Sequence, residues 1–230
     1  MSEHNAATLP EKIALAQDRL RQVWDRFGTQ ARVGWTGGKD STVVLHLWRE
    51  LVRSSAPDAP VRALSVDTGW KFPEVRAFRD MLARDWDIEL YVARPDLDPE
   101  LRCYPVAQDP AACCQDLKIR PLRAALELLH CPALLTGVRA DEHAHRAQGT
   151  WWEEETSPKH VRVAPILEWN EMDIWTYLVR TNTPWCALYD QGYRSLGCVP
   201  CTTRSGSGER SGRDARKEAC MEHLRSLGYF

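Results

Sequence analysis

Two sets of residues in this chain have the types and spacing that chemistry requires. The first is Thr36-Gly37-Gly38-Lys39-Asp40-Ser41, which follows the apolar run ending at Trp35 and precedes a helix-forming segment. Glycines let backbone N–H groups approach an anion without a Cβ in the way, and the following helix aims its own free N–H groups and positive dipole end at the same place. Lys39 adds a mobile positive charge. A plain turn would explain two glycines alone, whereas the hydroxyls and the lysine beside them point to phosphate. The Gly-x-x-x-x-Gly-Lys spacing of a Walker loop is absent. The second set is drawn from eight cysteines. Cys103, Cys131 and Cys186 stand alone and read as small buried hydrophobes. Cys113-Cys114 and Cys198-x-x-Cys201 are paired: a Cys-x-x-Cys turns two thiolates toward one centre, and a second pair completes four ligands. A structural zinc, an iron-sulfur cluster and uncommitted thiols are the three readings of that set.

These residues need a scaffold. At 230 residues the chain has room for one sizeable α/β domain with a smaller C-terminal appendage. A net charge of −2 and a pI near 6.4 give no global push toward nucleic acid or membrane, and a local basic patch stays open. With no apolar run of membrane-spanning length and no apolar leader at Met1 to Pro10, the expectation is a soluble, cytoplasmic protein with reduced thiols. Ile13, Leu20, Val23, Trp24 and Phe27 recur at helical spacing over 11–27. Apolar strands are expected at 32–35, 61–66, 88–92, 133–137 and 161–166, with helices at 42–52, 73–86, 115–130 and, capped by Asn170, up to 181. Such alternation places ligands beyond the C-terminal ends of the strands, where the phosphate loop, Asp67 to Glu74 and Gly137 to Arg146 all fall. A carboxylate, hydroxyl and lysine at Asp67, Thr68 and Lys71 could hold ribose, phosphate or Mg²⁺, or simply turn the chain. Arg94 to Ala112 reads as a long loop, and Gln148 to His160 as a surface loop or lid. Within it, Trp151 and Trp152 could be core, partner surface or stacking platform. His143 and His145 read as solvated.

The loop Thr36–Ser41 resembles the SGGxDS pyrophosphate loop of the PP-loop ATP-pyrophosphatase superfamily, whose members cleave ATP between the α and β phosphates and attach AMP to an acceptor. Thr36 keeps the hydroxyl of the usual serine. Asp67-Thr68-Gly69-Trp70-Lys71-Phe72 resembles the small subunit of ATP sulfurylase and, more loosely, adenylylsulfate and phosphoadenylylsulfate reductases. Gly137-x-Arg139-x-Asp141-Glu142-x-x-x-Arg146 resembles a pattern common to that branch, and Tyr189 to Thr202 resembles the iron-sulfur form of adenylylsulfate reductase. The resemblance implies a three-layer α/β/α fold with a mostly parallel twisted sheet, of the adenine nucleotide α-hydrolase type. It divides the chain into an N-terminal helix at 1–30, a nucleotide-binding domain at 31–181, and a Cys-x-x-Cys and tail segment at 182–230 packed on the same domain. It also implies that Thr36, Gly37, Gly38, Lys39, Asp40, Ser41 and Gly137 hold the phosphates of ATP or adenylyl sulfate, and that Asp67 positions ribose or Mg²⁺. Arg139 and Arg146 would stabilise charge beside Lys39 and Asp40. A 4Fe-4S cluster would sit on Cys113, Cys114, Cys198 and Cys201, with Lys118, Arg120 or Arg194 supplying positive charge to the thiolates.

The resemblance leaves three functions open. Reductases of this kind end in a Glu-Cys-Gly-x-His segment whose cysteine attacks the substrate sulfur; here the nearest string is Glu218-Ala219-Cys220-Met221-Glu222-His223, so Cys220 is either that nucleophile or an ordinary helix residue. Ser207 to Arg213 and the ending Gly228-Tyr229-Phe230 resemble the sulfurylase small subunit instead. Because the intact loop sits beside four cluster-spaced cysteines, the leading expectation is an ATP pyrophosphatase that adenylylates an acceptor for sulfur transfer, as in DNA phosphorothioation or tRNA thiolation. An adenylylsulfate reductase is the alternative, and sulfurylase-like sulfate activation the third. The partners implied are an adenine nucleotide with a sulfur donor such as a cysteine desulfurase, or thioredoxin for a reductase. Nucleic acid and a second copy of the chain stay open, and no membrane is expected.

Overall fold

A computed structural model describes residues 7–96, 104–143, 146 and 149–228. Helix α1 (Leu9–Phe27) starts where Thr8 and Glu11 cap it, the Thr8 N–H donating to Glu11 Oε2 at 2.7 Å, and it buries Ala16, Leu20 and Val23 on one face. Strand β1 (Arg32–Gly34) leads through the phosphate loop into α2 (Lys39–Ser55). Then follow β2 (Val61–Val66), α3 (Pro73–Asp85) and β3 (Ile88–Ala93). A short α4 (Pro110–Cys114) continues through a π turn at Gln115–Ile119 into α5 (Arg120–Leu128) and β4 (Ala133–Leu135). A hairpin of β5 (Trp152–Thr156) and β6 (Lys159–Val163) precedes α6 (Glu171–Arg180), and α7 (Ala215–Ala219) and α8 (Met221–Ser226) end the described chain.

The sheet order is β3-β2-β1-β4-β6-β5, parallel throughout except for β5 against β6. Val33 pairs with Ala63 on one side and Leu135 on the other, so β1 is central and fully buried, as its apolar run requires. The chain runs outward from β1 to β3 and then crosses back to β4. That reversal opens a crevice between the loops after β1 and β4. Val33, Trp35, Leu45, Trp48, Leu135 and Ile174 share one core with Leu20 of α1. Among the described residues no helix is long and apolar enough to cross a membrane.

Two expectations are corrected here. Residues 152–156 are an edge strand rather than a loop. The run Glu153-Glu154-Glu155 masks it, because glutamates are poor strand formers, but Glu153 and Glu155 both pair with Arg162 on β6, the latter at 3.0 Å. Trp152 stacks on Phe27 at 6.1 Å between ring centroids, and the Arg19 guanidinium lies 5.2 Å from the centre of the Trp151 ring, so both tryptophans pack against α1. The second correction concerns Cys113 and Cys114, which lie on a helix that begins at Pro110. Asp109 caps it, accepting from Ala111 N at 2.9 Å and Ala112 N at 3.1 Å. Cys103 and His145 lie outside the described residues.

Leu20 is fully buried in the main core, where α1 packs beside α2. Leu20→Ala is expected to lower unfolding free energy by about 2–5 kcal/mol in urea denaturation; a loss below about 1 kcal/mol would show that α1 does not share the core.

Candidate active site

The loop after β1 is held by its own side chains. Thr36 N–H donates to Ser41 Oγ at 3.2 Å, Gly38 N–H donates to Thr36 Oγ1 at 3.2 Å, and Ser41 Oγ donates to the Gly38 carbonyl at 3.0 Å. Gly37 has φ +81°, the left-handed region where a side chain is strained, and a Cβ there would lie 2.9 Å from Val75. Gly137, just after β4, packs directly on the loop: a Cβ on it would meet Ser41 N at 2.6 Å and Asp40 C at 2.8 Å. The crevice therefore closes to backbone contact at this point, which only glycine permits.

Four charged side chains fill the base of the site. Lys39 Nζ donates to Glu209 Oε1 at 2.5 Å, to Asp40 Oδ2 at 3.3 Å and to the Arg194 carbonyl at 3.1 Å. Arg139 donates from Nε to Asp40 Oδ1 at 2.7 Å and from Nη2 to the same Glu209 oxygen at 2.6 Å. Lys39 is 1% exposed and Arg139 is 0% exposed. Burial opposes both charges, but Asp40 and Glu209 outweigh it, so both cations are held above their ordinary range. Burial likewise pushes the Asp40 carboxyl up, and Lys39 and Arg139 more than reverse that, leaving it below its usual range. Tyr189 completes the base, its hydroxyl accepting from Lys39 N–H at 2.9 Å. Around this core Arg146 pairs with Glu142, which also lies 3.4 Å from Arg210. The carboxylates of Asp40, Glu142 and Glu209 offer three oxygens within 4.8 Å of one another.

Cys113, Cys114, Cys198 and Cys201 are all buried, and the last two are brought over by an isolated bridge between Lys71 and Cys198, with Val199 N–H donating to the Trp70 carbonyl at 2.8 Å. Cys113 feels the charges of the other three. Burial pushes the Cys198 thiol up, but Lys118, the Thr68 hydroxyl 3.3 Å away, Lys71 and Lys217 together bring it down to about 7. Of the cations expected to serve the thiolates, Lys118 does so; Arg120 pairs with Asp116 and Arg194 with Glu171.

Two adjoining cavities join these halves. One lies over the loop and includes Thr36, Gly38, Asp40, Ser41, Gly137 and Arg146 in its wall. The other reaches toward the thiols and includes Trp35, Thr68, Lys71 and Lys118. Arg213 lines both. It is 9% exposed, its Nε has no partner, and Nη1 makes a long 3.4 Å bond to Thr202 Oγ1. Among the described residues no carboxylate pairs with it, and Gly197 leaves the space its guanidinium occupies, since a Cβ there would lie 2.2 Å from Nη1. Asp67 lines neither cavity; it is 4% exposed, accepts from Gly69 N–H at 3.1 Å and lies 3.7 Å from Arg79. Cys220 also lines neither. It ends α7, packs on the small core of Cys114, Ile119, Met221 and Leu224, and donates to the Lys217 carbonyl at 3.3 Å. Burial keeps its thiol protonated to higher pH than usual. Arg213, Glu209 and Lys217 had no role assigned from sequence, the signal present being the pattern Arg210-Ser211-Gly212-Arg213, whereas Lys71, a candidate for ribose, phosphate or Mg²⁺, lies on the thiol side and acts on Cys198.

A central parallel sheet with a glycine-lysine phosphate loop at its switch point defines a PP-loop α/β nucleotide-binding fold. The chain belongs to the phosphoadenosine phosphosulfate reductase domain family, whose model matches residues 30–204. It is 32% identical over 221 residues to adenosine 5'-phosphosulfate reductase of Streptomyces coelicolor, covering 91% of this chain and 89% of that protein. It is 33% identical to sulfate adenylyltransferase subunit 2 of Colwellia psychrerythraea, over 66% of this chain and 58% of that one. In fold it matches FMN adenylyltransferase of Candida glabrata, solved with FMN and an ATP analogue, with a TM-score of 0.72 at 19% identity over 89% of this chain and 69% of that one. It also matches the U34-tRNA thiolase NcsA of Methanococcus maripaludis, solved with its [4Fe-4S] cluster, with a TM-score of 0.56 at 16% identity over 95% and 80% of the two chains.

In iron-free protein, thiolate absorbance is expected to show a first step near pH 7 from Cys198. Thiolate lies above that pH and thiol below it. Lys118→Met should move the step upward by roughly half a unit to one unit, and Cys198→Ser should remove it; a first step at the ordinary ~8.5 in the parent protein would contradict the geometry.

Proposed function

We propose that this chain is an iron-sulfur enzyme acting on an adenylylated sulfur oxyanion, and that it is a reductase of adenylyl sulfate. The observation that carries this reading is Arg213: a buried guanidinium that makes no ion pair with a carboxylate among the described residues, set between the thiol quartet and the phosphate loop. Glu218 feels its charge from farther away. Its Nε lacks a hydrogen-bond partner, which is costly for a buried group, and a substrate sulfate or phosphate is the partner its planar fork suits. Lys71 and Lys118 add positive charge on the thiol side of the same cavity. Similarity to adenosine 5'-phosphosulfate reductases along nearly the whole chain supports the same choice over the ATP-cleaving expectation. Four buried thiols that feel one another's charge, with Lys118 acting on Cys198, suit a 4Fe-4S cluster held by Cys113, Cys114, Cys198 and Cys201. Bound there, the cluster supplies a polarising centre beside the anion pocket. Residues 31–181 then bind the adenine nucleotide, and 182–230 contribute Arg213, half of the cysteines and Cys220.

In this reading Arg213 and Lys118 hold the sulfate end and the loop side of the crevice orients the adenylate. The Cys220 thiolate attacks sulfur, the bond from sulfur to the bridging oxygen breaks, and AMP leaves with the electron pair. A dithiol of the thioredoxin class then reduces the S-sulfocysteine, itself becoming a disulfide, and sulfite is released. Because Cys220 lies at the junction of α7 and α8 outside both cavities, these helices must shift for the attack. A second reading, ATP cleavage with sulfur transfer to an adenylylated acceptor, is favoured by the intact loop with a charged Lys39. Asp40, Glu142 and Glu209 would then be the oxygen donors available to Mg²⁺.

Protein purified without oxygen is expected to be brown, to carry about four iron atoms per chain, and to release sulfite from adenylyl sulfate with a dithiol. Arg213→Ala should lower kcat/KM by on the order of 100-fold with iron content retained, and Cys220→Ser should abolish sulfite release. Pyrophosphate release from ATP, with no sulfite formed from adenylyl sulfate, would replace this reading by the second.

A further inference from the structure

One carboxylate oxygen, Glu209 Oε1, accepts from both Lys39 Nζ and Arg139 Nη2, at 2.5 and 2.6 Å. These two buried cations and the start of α2 are the anion-binding equipment of the loop. The one α2 N–H that Tyr189 engages belongs to Lys39 as well. The oxygens of Glu209 therefore stand where the oxygens of a bound phosphate would stand.

The loop that delivers Glu209 is built, not incidental. Thr203 N–H donates to the Gly212 carbonyl at 2.8 Å, Gly206 N–H to Ser211 Oγ at 2.7 Å, and Ser211 Oγ to the Gly208 carbonyl at 2.7 Å. A Cβ on Gly212 would lie 2.2 Å from the Thr203 carbonyl oxygen, so the closure needs glycine there. Ser205 Oγ donates to the Glu209 carbonyl at 3.3 Å and fixes the backbone from which the carboxylate projects. The charge at the base is already met: Lys39 and Arg139 face Asp40 and Glu209, and Asp141 Oδ2 lies 3.4 Å from Arg139 Nη1 as well. A pyrophosphate entering here must expel a carboxylate already bonded to both cations or lie against it as a like charge. On the other side of Thr36, Arg213 makes no such ion pair among the described residues, and Glu218 acts on it only through its charge.

We propose that Glu209 is a specificity residue: its carboxylate takes the phosphate position on Lys39 and Arg139, so the site admits adenylates whose anionic end reaches Arg213 and discriminates against nucleotides that carry pyrophosphate. The proposal rests on the reading of the site as one for an adenylylated sulfur oxyanion, and adds the reason ATP is excluded although the loop looks fit for it. Glu209 is a positioning group for the two cations and takes no part in bond making.

Binding of inorganic pyrophosphate, ATP and AMP is to be measured by calorimetry on the iron-loaded full chain, for the parent, Glu209→Gln and Glu209→Ala. Glu209→Gln keeps the shape and removes the charge, which guards against a variant that fails to fold. Pyrophosphate and ATP are expected to bind about tenfold or more tightly to both variants, and AMP to change by less than about twofold. Pyrophosphate binding equally to parent and Glu209→Gln would overturn the proposal, as would AMP affinity falling in step with it, which marks a purely structural role. Sulfite release is not read in this experiment. A gain in pyrophosphate binding therefore upholds the role of Glu209 even where the parent makes no sulfite, and the reductase reading fails separately.

Discussion

The site depends on one buried arrangement of charge, in which Lys39 and Arg139 are neutralised by Asp40 and Glu209. Neither cation could be buried to this extent alone, because removing one partner of a buried ion pair typically costs about 3–5 kcal/mol. Asp40 comes from the first turn of α2, Arg139 from the segment after β4, and Glu209 from a loop 70 residues later. Their mutual satisfaction therefore ties the phosphate loop, the far side of the crevice and the C-terminal segment into one unit. That tie brings Arg213, four residues beyond Glu209, to the wall shared by the two cavities.

Sheet topology supplies the rest of the placement. β1 is central, so the loops after β1 and β4 diverge from neighbouring strands and Gly137 can rest on the backbone of Asp40 and Ser41. The loop after β2 turns through Asp67, whose side chain is used by Gly69 and Arg79 to shape that turn, and so presents Thr68 and Lys71 to the thiols. The π turn at Gln115–Ile119 lets the helix that carries Cys113 and Cys114 go on to place Lys118 beside Cys198. Each polar group at the thiols is thus delivered by backbone geometry that other residues enforce.

The local features were legible from sequence. An apolar run, paired glycines and a helix-forming segment mark β1, the loop and α2, and the paired cysteines mark the second centre. Features made by distant residues were not. The carboxylate on Lys39 belongs to a residue 170 positions away, and the resemblance over Ser207 to Arg213 marks the segment without giving Glu209 a partner. Arg213 looks like any surface arginine until its burial and missing partner are seen. Glu153 and Glu155 hide an edge strand because their stabilising partner, Arg162, sits on another strand. The intact loop argued for ATP cleavage as long as its cations were taken to be available. With Glu209 on both of them, the proposed reading turns to Arg213 and to an adenylylated sulfur oxyanion.

The most direct test is a crystal structure of the iron-loaded protein with adenylyl sulfate. The account predicts a sulfate oxygen within hydrogen-bond distance of the Arg213 guanidinium, on the side facing Lys118, with Glu209 still bonded to Lys39 and Arg139. A sulfate or phosphate oxygen seated on Lys39 and Arg139, with Glu209 expelled and Arg213 untouched, would contradict it.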